Sequence, residues 1–104
     1  MPDRYRVTVM PEASADLTRI YEYVERDSPQ NAASVLRELF DAIDSLERLP
    51  HRSKVHRSHK NPDRAVRSMP VPPFVLYYRV RTADRVVEVL TLRHGARRQP
   101  RRFD

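Results

Sequence analysis

The sequence predicts a small α+β domain with the element order β-α-α-β-β-β. Three observations support this class. Apolar residues recur every three or four positions in two segments, which is typical of helices. In four other segments apolar residues alternate with polar ones or run continuously, which is typical of strands. Prolines mark several of the junctions between these segments. A chain of 104 residues is long enough for one modest core, so we expect a single domain spanning residues 1–104.

The N-terminal half predicts one strand followed by two helices. Apolar and polar residues alternate over residues 4–10, which indicates a strand, and an apolar stripe with helical spacing covers residues 11–26. Ser28 can cap a second helix that begins at Pro29 and stops at Leu49. The connection is so short that the helices should form an antiparallel hairpin, and their apolar stripes should pack on the strands.

The C-terminal half predicts a long loop and three strands. Residues 50–64 contain one aliphatic residue and no helical or strand period, so we expect a loop. Strand patterns follow over residues 65–69, 74–81 and 86–93, with a proline-rich interruption after the first and a hairpin turn at residues 82–85. The last strand is almost continuously apolar, which is typical of a central strand.

Charge is divided unevenly along the chain. Residues 1–50 contain six arginines and ten acidic residues, whereas residues 51–104 contain fourteen basic and four acidic residues together with all four histidines. This uneven distribution creates an electric field that favours phosphates or an acidic partner at the basic end of the molecule. Surface charge also serves solubility.

Composition excludes several classes of site. The chain has no cysteine, which excludes disulfides, thiolate metal sites and a thiol nucleophile. The first residues lack the pattern of a signal peptide, and no apolar stretch is long enough to span a bilayer. We therefore expect a soluble, cytoplasmic protein without a membrane partner.

A series of local motifs, in this order, resembles the RelE/ParE family of type II toxins. The motifs are PEASADLTRIYEYV (11–24), SPQNAA (28–33), LERLP (46–50), VLYYRV (75–80) and VVEVLTLRHGARR (86–98). The resemblance implies a curved, mainly antiparallel sheet crossed on one side by the helical hairpin. It also implies a ParD-like antitoxin whose C-terminal segment wraps the toxin, contact with operator DNA only through that antitoxin, and no cofactor.

The family includes two activities of different classes. RelE-like members cleave messenger RNA on the ribosome, whereas ParE-like members bind DNA gyrase and trap it on broken DNA. The motif RHGARR (93–98) with its short arginine-rich tail resembles the ParE branch, so poisoning of gyrase is the expected function. The alternatives are a ribosome-dependent messenger RNA endonuclease and an inactive relative that only binds its antitoxin.

Metal-independent RNA cleavage would need an acid, a base and clamps for the phosphate. The candidates in the sequence are His56, His59, His94, Lys54, Arg67, Arg79 and Arg97. Arg67 and Arg97 fall near the arginines of the RNA-cleaving branch, and His94 completes the catalytic set of that alternative. Where those enzymes carry a tyrosine or histidine near the C-terminus, this chain has Phe103, which has no proton to exchange.

The ParE interpretation needs binding residues and no catalytic ones. The expected antitoxin-binding residues combine an exposed apolar stripe of the first helix with arginines at the end of the last strand and after it: Leu17, Ile20, Tyr21, Arg93, Arg97 and Arg98. The expected target-binding residues are Arg101, Arg102 and Phe103. The histidines of residues 51–59 lack nearby carboxylate companions, so we expect no metal site. Tyr77 and Tyr78 should lie in the core, and Gly95 should supply a turn conformation.

Overall fold

The computed structural model describes residues 4–95. Its elements in chain order are β1 Arg6–Val9, α1 Pro11–Asp27, α2 Pro29–Ser45, β2 Val55–Arg57, a 3₁₀ turn Pro62–Arg64, β3 Val66–Val71, β4 Phe74–Arg81 and β5 Val86–His94. The strands form one sheet in the order β1-β5-β4-β3-β2. β1 runs parallel to β5, and the other neighbouring strands are antiparallel. The α+β class and the mainly antiparallel sheet are therefore confirmed.

The helical hairpin forms where the prolines and Ser28 predict it. Pro11 and Pro29 stand in the first turns of α1 and α2, where a missing N–H costs nothing. The Ser28 hydroxyl accepts the backbone N–H of Asn31 at 3.2 Å and caps α2. α2 ends at Ser45 and not at Leu49, because the α-helical hydrogen bonds give way to tighter turns there. The next residues continue as turns, with i to i−3 backbone hydrogen bonds.

The helices cover one face of the sheet and form the main core with it. Its most completely buried large side chains are Leu39, Leu46, Leu76, Tyr78, Val87 and Val89. The buried Tyr78 hydroxyl donates a hydrogen bond to the Pro50 carbonyl at 2.8 Å, so this polar group has a partner within the core. On the opposite face a smaller cluster contains Val66, Tyr77 and Leu90. Both tyrosines are core residues, as the sequence predicts.

Residues 50–64 are more ordered than the sequence predicts. They contain β2, which pairs with the start of β3 at the edge of the sheet, and the 3₁₀ turn at Pro62–Arg64. The predicted loop is therefore wrong in part. All three β2 side chains are exposed, so backbone hydrogen bonds hold this strand and no apolar alternation marks it.

The proline-rich interruption lies partly inside a strand. β3 continues through Pro70 and Val71, which pair with Val75 and Phe74, and only Pro72 and Pro73 form the turn. β2 pairs only with Val66 and Arg67 of β3, so no β2 residue lies beside Pro70. Pro70 is therefore tolerated, because its missing N–H leaves no β2 acceptor without a partner.

Candidate functional site

Strand β5 extends beyond its neighbour β1, and helix α1 covers the extra length. β1 pairs only with Val86–Val89, so the following residues of β5 have no strand on that side within residues 4–95. A β-bulge between Val89 and Thr91 shifts the register there. The end of β5 is therefore a place where the sheet meets a helix and not another strand.

A buried carboxylate joins α1 to this end of β5. Asp16 is only 4% exposed, and its Oδ2 accepts the Thr91 hydroxyl at 2.6 Å and the Leu92 backbone N–H at 3.0 Å. Its Oδ1 accepts a hydrogen bond from the guanidinium of Arg19. A buried carboxylate is stable only when such donors satisfy it, and here they fix the position of α1 relative to β5.

Beside this joint lies a groove of about 800 Å³ between α1, the start of α2 and the ends of β4 and β5. Its apolar lining includes Ile20, Tyr23, Val24, Val35, Phe74 and Leu92, and its basic lining includes Arg19, Arg26, Arg93 and His94. Asp16 and Glu22 are its acidic members. A groove of this composition can receive apolar side chains and carboxylates from the same partner.

Arg93 stands where the groove meets the opposite face of the sheet. Its Nη2 lies 3.6 Å from Oε2 of Glu12, in a pair that solvent reaches. Its Nε is buried and has no hydrogen-bond partner among residues 4–95. The side chain as a whole is 40% exposed, so the outer part of its guanidinium retains donor capacity toward an acidic group that approaches from outside.

Tyr77 does not offer a surface for stacking. It is 1% exposed, and the ring of His56 contacts its ring edge-on at a centroid distance of 5.0 Å. Burial raises the pKa of Tyr77, and the charge of Arg93 opposes part of that shift. The phenol therefore stays protonated at neutral pH.

The first helix presents a different surface from the predicted one. Leu17 is 8% exposed and belongs to the core, so its assignment to an exposed stripe is wrong. The helix turns this position toward the sheet together with Ala13. Ile20 is half-buried and lines the groove, whereas Tyr21 is half-buried outside it. A hydrogen bond to Glu25 and the charge of that carboxylate raise the pKa of Tyr21.

Sequence reasoning missed Tyr23, which is 65% exposed and lines the groove. It lies off the apolar stripe of α1, so the helical periodicity does not mark it. An aromatic residue on the polar face of an amphipathic helix was the available signal.

Arg67 and His94, two members of the alternative catalytic set, lie far apart. Arg67 on β3 pairs with Tyr78 on β4, and His94 on β5 pairs with Phe74 on β4. Phe74 and Tyr78 are four residues apart on β4, which is about 13 Å at the usual rise of a strand. The Arg67 guanidinium donates to the Ser53 carbonyl at 2.6 Å. The structure therefore does not bring these two residues together.

The remaining predicted site residues, Arg97, Arg98, Arg101, Arg102 and Phe103, lie outside the described residues. Within residues 4–95, no three histidine, aspartate or glutamate side chains are grouped so that they could hold a metal ion. In the same part of the chain, no helix is long and apolar enough to cross a membrane.

Gly95 follows β5 and closes this end of the sheet. Its backbone N–H donates to the Pro73 carbonyl at 2.7 Å, and a Cβ at this position would lie 3.2 Å from the same oxygen. Gly95 lies in a turn, as predicted, but its φ is not positive, so a left-handed backbone is not the reason for glycine there. Glycine suits the position because the two backbones approach closely.

A two-helix hairpin packed on this mixed five-stranded sheet is the fold of the RelE/ParE toxins. The chain belongs to the ParE toxin family of type II toxin–antitoxin systems, parDE, whose family model matches residues 7–99.

Individual relatives come from both branches of the family. Toxin RelE2 of Caulobacter vibrioides is 36% identical over 86 residues, which cover 82% of this chain and 89% of that protein. The chromosomal ParDE system of P. aeruginosa matches with a TM-score of 0.68 at 21% identity, covering 88% of this chain and 97% of the other. The archaeal RelE–RelB complex of Pyrococcus horikoshii matches with a TM-score of 0.65 at 19% identity, covering 91% and 99%.

Proposed function

We propose that this protein is a ParE-like toxin that inhibits growth by poisoning DNA gyrase and is neutralised by a cognate, ParD-like antitoxin. The ParE family model covers most of the chain, which is the observation that carries the proposal. Such a toxin would act in the cytoplasm, where gyrase works, and would need no cofactor.

The separation of Arg67 and His94 supports this choice over RNA cleavage. Proton transfer in a transition state requires acid, base and clamp within hydrogen-bond reach of one phosphate. Arg67 and His94 lie on β3 and β5, and their partners on β4 are about 13 Å apart, so the two residues do not meet that requirement together. Inhibition through binding makes no such demand, because it needs a complementary surface only.

The antitoxin would occupy the groove at the end of β5. Ile20 and its apolar neighbours would receive apolar side chains, and the exposed part of the Arg93 guanidinium would donate to a carboxylate. A disordered segment that is both acidic and apolar matches this surface and would order on binding. Tyr21 would contribute from the adjacent face of α1, and Arg97 and Arg98 would extend the basic side.

The target would be contacted by residues beyond the antitoxin site. We assign this role to Arg101, Arg102 and Phe103, which combine positive charge with one aromatic side chain. Arginine and aromatic residues are enriched at interfaces, where they supply much of the binding energy.

The proposal is tested with toxin freed from its antitoxin. One reaction contains gyrase, ATP and supercoiled plasmid, and a parallel reaction contains translating ribosomes with labelled message. We expect stabilised cleaved plasmid and intact message, and added antitoxin should abolish the plasmid cleavage. Cut message with unaffected gyrase would instead support the RelE-like alternative, and no effect in either reaction would support an inactive relative.

A matched pair of variants then examines the tail. Replacement of Arg101 and Arg102 with glutamine should weaken gyrase poisoning while antitoxin binding remains. Replacement of the exposed Arg37 and Arg48 with glutamine removes the same charge from α2 and the turn after it, and should change neither.

A further inference from the structure

The outer edge of the sheet carries a group of basic side chains that the proposed function does not use. β2 is the last strand on this side, and the segment from Lys54 to Arg64 continues from it. We name as the basic edge four exposed residues of that segment: Lys54, Arg57, Lys60 and Arg64.

The positive charge of this edge is largely uncompensated. Lys54, Lys60 and Arg64 form no ion pair with any of residues 4–95. The segment has one carboxylate, Asp63, whose Oδ1 is used to accept the Thr82 backbone N–H at 3.2 Å. The charge is thus directed to solvent, where it can attract an anion.

The composition of the edge favours phosphate over protein. Protein interfaces are depleted of lysine and enriched in aromatic residues, whereas nucleic-acid interfaces are strongly positive. Residues 51–64 contain no tyrosine, phenylalanine or tryptophan, and Val55 is their one aliphatic residue.

The backbone holds part of the edge in an extended line. The Lys54 carbonyl accepts the Ser68 N–H at 3.1 Å, so the pairing with β3 reaches back to Lys54. The pairing is irregular between Val55 and Arg57, and basic side chains that are exposed lie before the strand and at its end. Charges spread along an edge in this way can contact several phosphates of one duplex.

We propose that the basic edge binds the phosphate backbone of duplex DNA without reading its sequence. This inference goes beyond the proposed function and does not depend on gyrase. Binding through phosphates releases counterions, so it has a distinctive dependence on salt that a test can use.

The test measures fluorescence anisotropy of a labelled 20-base-pair duplex with the full chain between 50 and 200 mM salt. Four phosphate contacts give a slope of log affinity against log salt of about −3.6, which is a loss of about 10²-fold over that range. Replacing Lys54, Lys60 and Arg64 with glutamine should make the slope shallower by about 2.7. This difference is unaffected by contacts from the arginines after residue 95, which both proteins retain.

The matched control replaces the exposed Arg4, Arg6 and Arg37 with glutamine, which removes the same net charge away from the basic edge. Its slope should stay within about one unit of the parent, corresponding to a single phosphate contact at most. A single Lys60→Gln variant, expected to change the slope by about 0.9, addresses the case in which the triple variant folds poorly by circular dichroism.

Three results would overturn the inference. The first is no binding at 50 mM salt, and the second is an equal change of slope in the triple variant and its control. The third is tighter binding of a hairpin RNA of the same length, with the same dependence on Lys54, Lys60 and Arg64. That outcome would assign the edge to RNA.

Discussion

Replacing Asp16 with asparagine should destabilise the fold strongly, because this carboxylate is buried where α1 meets β5. The Thr91 hydroxyl at 2.6 Å and the Leu92 N–H at 3.0 Å donate to one of its oxygens. Charge-assisted hydrogen bonds contribute about 1.5–3 kcal/mol each, roughly twice the value of neutral ones. The amide would retain weaker bonds to these two donors and would direct its own N–H toward another donor, Arg19.

We expect a loss of about 2–3 kcal/mol in the free energy of unfolding for Asp16→Asn, mainly from the two buried bonds. The Arg19 contact adds little, because the Arg19 side chain is 64% exposed. In a domain of this size the loss corresponds to a fall in Tm of about 10–20 °C. Urea unfolding at pH 7, followed by far-ultraviolet circular dichroism, measures the free energy directly.

Asp41→Asn is the matched control, since it removes the same charge from an exposed position on α2 and should change stability by less than about 0.5 kcal/mol. A cycle with Thr91→Val isolates the buried contact, and the two substitutions should couple by about 1 kcal/mol or more. Equal stabilities of the Asp16 and Asp41 variants would refute the reasoning, because the carboxylate would then contribute no more than a solvated one.

Three further predictions concern the groove, the end of β5 and the buried phenol. Tyr23→Ala should weaken antitoxin binding about tenfold or more in a titration with the cognate antitoxin, because this side chain lines the groove. Phe40→Ala, which removes a comparably exposed ring outside the groove, should not, and equal effects would exclude the groove as the binding site. Gly95→Ala should lower Tm by several degrees, since its Cβ would lie 3.2 Å from the Pro73 oxygen, and an unchanged melting curve would show that the turn relaxes freely. Burial raises the pKa of Tyr77 in the folded state, so the unfolded chain releases this proton first as pH rises. Stability should therefore fall above about pH 10, the ordinary tyrosine pKa, and Tyr77→Phe should flatten that fall in unfolding curves measured against pH.

The elements that sequence could predict are those with a buried stripe. α1 and α2 each place apolar side chains at helical spacing, and Ser28 with Pro29 marks the break between them. β5 is recognisable because most of its side chains are buried on both faces. These patterns record which side chains avoid water, so they locate elements that contribute to the core.

The features that sequence could not predict depend on backbone hydrogen bonds and on contacts between distant residues. β2 has three exposed side chains and leaves no periodic pattern. The role of Asp16 is equally hidden, since its partners are Thr91 and Leu92, far away in the chain. The groove was missed in part because Tyr23 lies on the polar side of α1, although Ile20 and Arg93 were identified.

The pairing of β1 with β5 has a consequence for how the toxin is made. Val7 pairs with Val87, and the ladder that joins them closes the sheet at its first-synthesised edge. At a translation rate of about 5–20 residues per second, β1 waits about 4–16 s for its partner to be synthesised. Contacts of such long sequence separation also slow folding after release. A chain interrupted before β5 would lack the strand that both β1 and α1 pack against, so premature termination should yield no active toxin.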